Sequence, residues 1–174
     1  MALSNYVGRF APSPSGPLHL GSLTAALASY LQARSVKGQW LVRIEDIDPP
    51  REIPGSASLI LQTLDLFGLH WDQSVIYQSQ RLHRYEEYLH SLNQQQLTYN
   101  CGCTRTQIKS IGGIYQGHCR QSKVSNSDPH SIRLKSPDSD IQFNDKLLGA
   151  IKQDCYQWER DFILKRKDGL FAYQ

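Results

Sequence analysis

Residues 9–22 read Arg9-Phe10-Ala11-Pro12-Ser13-Pro14-Ser15-Gly16-Pro17-Leu18-His19-Leu20-Gly21-Ser22. Just ahead of them, Tyr6, Val7 and Phe10 make a short apolar strand over 6–10, in which Gly8 leaves room for close backbone approach. The Pro/Ser/Gly turn then delivers His19 and Gly21 to the start of a helical pattern. Leu20, Leu23, Leu27, Tyr30 and Leu31 recur at helical spacing, with Ala25, Ala26, Ala28 and Ala33 supporting helix. Gly38 is the expected stop, and Trp40–Ile44 reads as a second strand running into Glu45, Asp46 and Asp48. Strand, helix, strand predicts a βαβ unit with a parallel sheet. A helix N-terminus with free N–H groups, an imidazole and a small residue suits a nucleotide phosphate. A His-x-Gly string alone is weak, since six histidines give roughly 0.4 chance matches at average glycine usage. Its place between a strand and a helix is what gives it weight.

Outward from this unit, Pro49-Pro50 breaks the chain, and Leu59, Ile60, Leu64 and Phe67 predict an amphipathic helix over 56–67, closed by Gly68. A short strand follows at 75–77 and a helix at 80–94, with Leu82, Tyr85, Leu89 and Leu92 inward. Residues 98–130 are rich in Cys, Gly, Ser and His, with little aliphatic periodicity. Short strands are expected at 131–134, 141–143 and 162–164, and Lys167-Asp168-Gly169 is a hairpin-turn signal.

Composition fits an ordinary globular domain: 174 residues, 40% hydrophobic, 20% charged. Nineteen basic against sixteen acidic residues leave a net charge of +3, compatible with a nucleic-acid partner but not diagnostic. No run approaches the roughly 18 apolar residues of a membrane span. The N-terminus carries no secretory pattern, so a cytoplasmic location with reduced cysteines is expected. The chain stops at Phe171-Ala172-Tyr173-Gln174 where an apolar strand has just begun, and a truncated chain is the expectation.

Cys101-x-Cys103 and Cys119 fall within 19 residues, with Tyr115 and His118 between them. Three cysteines so close predict a structural zinc site, although one intervening residue is tight. On composition the fourth ligand is His118 or Cys155, the latter standing in a separate stretch where a lone buried thiol is its ordinary role. The competing reading is free cysteines in a loop-rich segment, but such a segment needs a staple, and zinc supplies about 10–16 kcal/mol to small folds. Arg105, Lys109, Arg120 and Lys123, and then Lys165, Arg166 and Lys167, are candidate phosphate contacts, with solvated charge the alternative.

The 9–22 string resembles the HIGH-type signature of class I aminoacyl-tRNA synthetases in the glutamyl-specific form. Val42-Arg43-Ile44-Glu45-Asp46-Ile47-Asp48-Pro49-Pro50-Arg51-Glu52 resembles the second glutamyl signature at the expected distance. Ser15, the Ile47–Glu52 continuation, and the Cys101-Gly102-Cys103 and Ile111–Cys119 strings are similar to the short glutamyl-Q tRNA(Asp) synthetase family, which lacks an anticodon-binding domain. The resemblance implies tRNA-independent activation of L-glutamate with ATP and Mg²⁺, then transfer to queuosine at the wobble position of tRNA(Asp), by a monomer.

It also implies residue roles. Arg9 would pair with a glutamate carboxylate through its planar fork. Ala11 and Ser13 would line the amino-acid pocket, Glu45 would hold the ammonium and Tyr173 would close the site. Pro12, His19, Gly21 and Ser22 would contact ATP, with His19 and Gly21 the catalytic pair. Zinc would take Cys101, Cys103, Tyr115 and Cys119. The implied fold is α/β, the first half of a Rossmann-like class I catalytic domain (1–97), with a zinc-stapled acceptor-binding-like insertion (98–165) and the start of a return strand (166–174). The structural alternatives are a solvated acidic turn at Glu45 and Asp48, a structural ion pair for Arg9 and core packing for Tyr173. No Lys-x-Ser-Lys string occurs in the 174 residues, so poor catalysis by this chain is expected. The alternatives are a fragment of an ordinary glutamyl-tRNA synthetase and a non-catalytic, zinc-stapled tRNA-binding module.

Overall fold

The computed structural model describes residues 6–122, 124–137, 139–153 and 161–173. They form two compact units, residues 1–83 and 84–174.

In the first unit, β1 (Val7–Phe10), α1 (Leu20–Ser35) and β2 (Gln39–Ile44) form the expected parallel βαβ unit, with Val7 paired to Gln39 and Phe10 to Val42. A third parallel strand, β3 (Ile76–Tyr77), joins β2, giving the order β1-β2-β3. A 3₁₀ turn at Pro49–Arg51 and helix α2 (Ser56–Leu66) lie between β2 and β3. Trp40, Val42 and Ile44 alternate inward along β2 and meet Phe10, Ala26, Ala33, Ile60, Leu64 and Leu69 in one core. Each fully buried aliphatic side chain there stabilises the unit by about 1.5–3 kcal/mol. The Trp40 ring stacks near Phe10, meets Tyr30 edge-on with centroids 5.2 Å apart, and donates its N–H to Ser29 Oγ (2.9 Å). Asp72 caps this end. Its carboxylate accepts from Trp40 N–H (2.7 Å) and Arg34 (2.7 Å), which together hold it below the usual carboxylate range.

The leucines of α1 are not its buried face, and one expectation about its end needs correction. Its buried residues are Ala26 and Ala33, while Leu20, Leu27 and Leu31 are exposed. A Cβ on Gly8 would meet Ser29 O at 3.1 Å and Ala33 Cβ at 3.2 Å. The helix therefore lies too close to the sheet for leucines, and alanines face inward. Gly38 is also not the helix stop, because Lys37 adopts the left-handed conformation (φ 55°). Gly38 is required by packing instead: a Cβ there would sit 2.4 Å from Tyr6 O.

A 3₁₀ turn at Gln78–Arg81, still in the first unit, leads into α3 (Leu82–Gln94), most of which belongs to the second; Leu89 is its buried residue and Leu82 is exposed rather than inward. An antiparallel sheet follows in the order β4-β5-β8: β4 (Thr98–Cys101), β5 (Ser131–Leu134) and β8 (Ile163–Lys165). The expected loop segment thus begins as a strand and contains a helix, α4 (Arg105–Ser110), started by a reciprocal Thr104/Gln107 capping box. β6 (Ile141–Asp145) and β7 (Gly149–Gln153) form a separate hairpin. The turn at 167–169 is a hairpin: Arg166 N donates to Leu170 O (2.8 Å), and Lys165 bridges Phe171.

Candidate active-site loop and metal centre

The 11–19 loop leaves β1 at the carboxyl end of the parallel sheet, the edge where open α/β sheets bind ligands. Three clamps fix it to the segment that leaves β2. Glu45 N donates to Pro12 O (2.9 Å), and Ile53 N donates to Pro14 O (2.9 Å). The Ser56 hydroxyl donates to Gly16 O (2.8 Å) and accepts from Gly16 N–H (2.9 Å). Ser56 is buried and follows a left-handed Gly55 (φ 81°) at the start of α2. No motif in the sequence singles it out; its only trace is the Pro54-Gly55-Ser56 turn ahead of an apolar run.

The loop leaves Arg9, Ser13 and His19 exposed, Ala11 half-buried and Pro12 buried. His19 is the N-cap of α1: its Nδ1 accepts from Ser22 N–H (3.3 Å), and its Nε2 lies 3.1 Å from Ser22 Oγ. Gly21 makes room for that ring, since a Cβ there would lie 3.1 Å from the imidazole. His19, Gly21 and Ser22 are thus one local constellation at a helix N-terminus, whose partial positive charge favours an anion, although the Ser22 N–H is taken by the His19 ring. Glu45 is 93% shielded (7% exposed), and its Oε1 accepts from Arg43 Nε at 2.6 Å. Arg43, two residues back on the same face of β2, is thus the partner of Glu45; Arg9 is not. The signal for it was the alternation in Val42-Arg43-Ile44-Glu45. Tyr173 is 80% exposed and belongs to the second unit.

The metal candidate lies in that unit. Cys101, at the end of β4, Cys103, and Cys119 bring three sulfurs within 4.8 Å of one another, with Cys103 Sγ 3.4 Å from Cys119 Sγ. The separation is far beyond a disulfide bond and close to the ~3.8 Å between sulfurs in a tetrahedron with Zn–S of about 2.3 Å. Tyr115 is 1% exposed, and its hydroxyl accepts from Cys119 N–H (3.0 Å) and hydrogen-bonds Cys101. It therefore offers the fourth corner. His118 is exposed, its ring centroid 5.7 Å from that of Tyr115, and it is not part of the sulfur cluster. Cys155 lies outside the described residues.

Burial pushes the Cys103 thiol up to about 12, reinforced by Cys119 and Cys101 beside it. Burial also drives the Tyr115 phenol upward. Cys101 goes the other way. Burial opposes its ionisation, but hydrogen bonds from Cys103 N–H, Tyr115 and Arg133 outweigh burial and hold its thiol below the usual value. A thiol such as Cys103, whose ionisation burial and its neighbours suppress, is one that a dication beside it relieves. The set of three sulfurs and one phenolic oxygen fits zinc.

Four of the seven basic candidates, Arg120, Lys165, Arg166 and Lys167, have partners within their own unit. Arg120 is a buried-network residue, bound to the Asp161 carboxylate at 2.5 and 2.6 Å. Lys165 pairs with Glu86 (2.5 Å), Arg166 with Asp168 (2.6 Å), and Lys167 donates to Gly102 O (2.7 Å). Lys123 lies outside the described residues, and Arg105 and Lys109 are exposed on α4. No helix among the described residues is long and apolar enough to cross a membrane.

Residues 6–174 match the family model for the catalytic domain of class I tRNA synthetases (E and Q). The chain is 56% identical over 173 residues to the glutamyl-Q tRNA(Asp) synthetase of Cronobacter sakazakii, covering 99% of this chain and 58% of that relative. It is 56% identical, with 56% of the relative covered, to the enzyme of that name from Escherichia coli K12, and 57% identical over 168 residues to that of Pectobacterium atrosepticum, of which it covers 52%. It thus spans little more than half the length of these curated relatives. Among solved structures, a glutamate tRNA ligase from Elizabethkingia meningosepticum in complex with its amino acid superposes with a TM-score of 0.84 at 27% identity, over 98% of this chain and 40% of that one. With two glutamyl signatures clamped together at the carboxyl edge of a parallel sheet, and a family match over nearly its whole length, the chain belongs to the class I tRNA synthetases (E and Q) as part of their catalytic domain.

Proposed function

We propose that the chain carries the glutamate-activating half of a glutamyl-Q tRNA(Asp) synthetase, which activates L-glutamate with ATP in the absence of tRNA and passes it to queuosine at the wobble position of tRNA(Asp). The observation carrying this reading is the clamp between the two signatures, Pro12 O to Glu45 N and Gly16 to Ser56, which holds an anion-binding helix start beside a shielded carboxylate. The relatives' shared name supports the substrate.

In this reading a carboxylate oxygen of glutamate attacks the ATP α-phosphorus. A new P–O bond forms, the bond to pyrophosphate breaks, and glutamyl-adenylate results. Pro12, His19, Gly21 and Ser22 hold the triphosphate, and the α1 N-terminus with the His19 ring stabilises charge developing on it. Arg9, exposed on β1, pairs with a substrate carboxylate. Ala11 and Ser13 line the amino-acid subsite, and Glu45, oriented by Arg43, takes the ammonium. Tyr173 is assigned to the glutamate subsite on the family resemblance alone. Mg²⁺ supplies neutralisation of phosphate charge when bound. A cyclopentene hydroxyl of queuosine then attacks the adenylate carbonyl and releases AMP.

The accompanying domain reading keeps residues 1–97 as the first half of the nucleotide- and glutamate-binding domain, 98–165 as a zinc-stapled, acceptor-binding-like insertion, and 166–174 as the start of a return strand. One zinc per chain, held by Cys101, Cys103, Tyr115 and Cys119, is structural in this reading. We place the protein in the cytoplasm as a monomer. Glutamylation by the complete gene product, compared on tRNA(Asp) with queuosine, tRNA(Asp) without it, and tRNA(Glu), tests the assignment. Transfer only to the first supports it; transfer to the 3′ end of tRNA(Glu) overturns it.

A further inference from the structure

We propose that Arg133 is a built-in counter-cation of the metal centre, a positioning residue that holds Cys101 and Tyr115 in ligand geometry and offsets the negative charge the sulfurs bring. The inference rests on the zinc reading above. Three thiolates around a dication carry a net charge of −1, and a phenolate-type Tyr115 ligand makes it −2; a buried net charge is costly unless something balances it.

Arg133 stands on β5 and is 2% exposed, among the largest fully buried side chains of the protein. A guanidinium at that depth on a small sheet needs a reason. Its Cζ lies 3.8 Å from the centroid of the Tyr115 ring, a desolvated cation–π contact. It hydrogen-bonds the Cys101 side chain, and a second arm donates to the backbone carbonyl of Asp161. One planar cation thus touches two of the four candidate ligands and is itself aimed by a third residue. The carboxylate of Asp161 serves other groups: Arg120, the Tyr99 hydroxyl (2.6 Å) and Ser136 N–H (2.9 Å). The Tyr99 hydroxyl in turn lies 3.1 Å from the Tyr115 hydroxyl. The network therefore orients the phenol from one side, while Arg133 covers its face and brings the charge. Supporting residues of this kind tune metal affinity as strongly as 10- to 100-fold.

The test is zinc affinity, read by chelator competition on the complete protein for wild type, Arg133→Met, Arg133→Gln and Arg133→Lys. Wild type is expected to bind one zinc. Absence of zinc there would be failure of the metal reading itself, whereas the charge proposal stands or falls on the variants. Arg133→Met and Arg133→Gln should bind zinc about 10- to 100-fold more weakly, and Arg133→Lys should stay within about fivefold of wild type. Equal weakening in all three, or unchanged affinity in Arg133→Met, overturns the proposal. Failure of both neutral variants to fold with zinc present while Arg133→Lys folds supports the charge requirement, and failure of all three to fold overturns it.

Discussion

Asp161→Asn offers the sharpest test of what holds the second unit together. The wild-type carboxylate is completely buried and receives four donors: Arg120 Nε (2.6 Å) and the Tyr99 hydroxyl (2.6 Å) on Oδ2, and Arg120 NH2 (2.5 Å) and Ser136 N–H (2.9 Å) on Oδ1. An amide keeps one acceptor oxygen. In either orientation its NH₂ faces two donors, and Arg120, with only 21% of its side chain exposed, loses its counter-charge. Removing one member of a buried ion pair costs about 3–5 kcal/mol, and the partial exposure of Arg120 places this case near 3. That is a large share of the ~5–14 kcal/mol expected for a unit of this size. Hydrogen exchange at Thr98–Cys101 and Ser131–Leu134 should speed up about 100-fold, while the β1–β2 amides serve as an internal reference. The pH dependence has a fixed sign. Arg120, Tyr99 and Ser136 hold the Asp161 carboxyl below its ordinary value against the opposing effect of burial. The stabilisation is therefore fully present above the unfolded pKa near 3.9 and is lost as pH falls through the lower folded value. The wild-type advantage over Asp161→Asn should be constant above about pH 5 and shrink below pH 4. Equal protection in the two proteins at neutral pH would refute the reasoning.

Three further outcomes follow from single contacts. Gly38→Ala should destabilise the first unit by about 2–3 kcal/mol in urea unfolding, because its Cβ would sit 2.4 Å from Tyr6 O and the end of β1 must move. Ser56→Ala removes both bonds to Gly16 and should cost about 1–3 kcal/mol; in ATP–pyrophosphate exchange by the complete protein, KM for ATP should rise more than kcat falls. Tyr115→Phe should weaken zinc binding at least about tenfold while His118→Ala stays near wild type in the same chelator competition; the reverse result would transfer the fourth ligand to His118.

The parts of the fold legible in the sequence are those where local chemistry and packing agree. Strand, Pro/Ser/Gly turn, helix and strand over 7–44 were readable because the turn and the His19 cap mark the start of α1 and β2 alternates cleanly. The buried face of α1 was not readable. Periodicity counts leucines as inward, whereas the absence of a Cβ on Gly8 lets the helix descend until only Ala26 and Ala33 fit. The sulfur cluster was legible from spacing, but its supports were not: Tyr99 and Asp161 are 62 residues apart, and an arginine on an unremarkable strand gives no sign that it will be buried. Likewise the basic residues at 165–167 looked like a nucleic-acid patch, although Glu86, Asp168 and the Gly102 carbonyl each take one of them.

The two signature strings are best understood as one mechanical part. Each was read as a separate ligand-binding motif, yet the contacts that set the 11–19 loop come from residues 45–56: Glu45 on Pro12, Ile53 on Pro14, Ser56 on Gly16. The Pro-Ser-Pro-Ser-Gly turn has one backbone bond of its own, Ser15 N to Ser13 O (2.9 Å), while the carbonyls of Pro12, Pro14 and Gly16 find their donors on the far segment. Glu45 therefore acts twice, its carboxylate paired with Arg43 and its N–H holding the loop that presents His19. Substitutions at position 45 that remove the carboxylate but spare the backbone should leave the loop in place, whereas chain insertions between Glu45 and Ser56 should disable the His19 end without touching it.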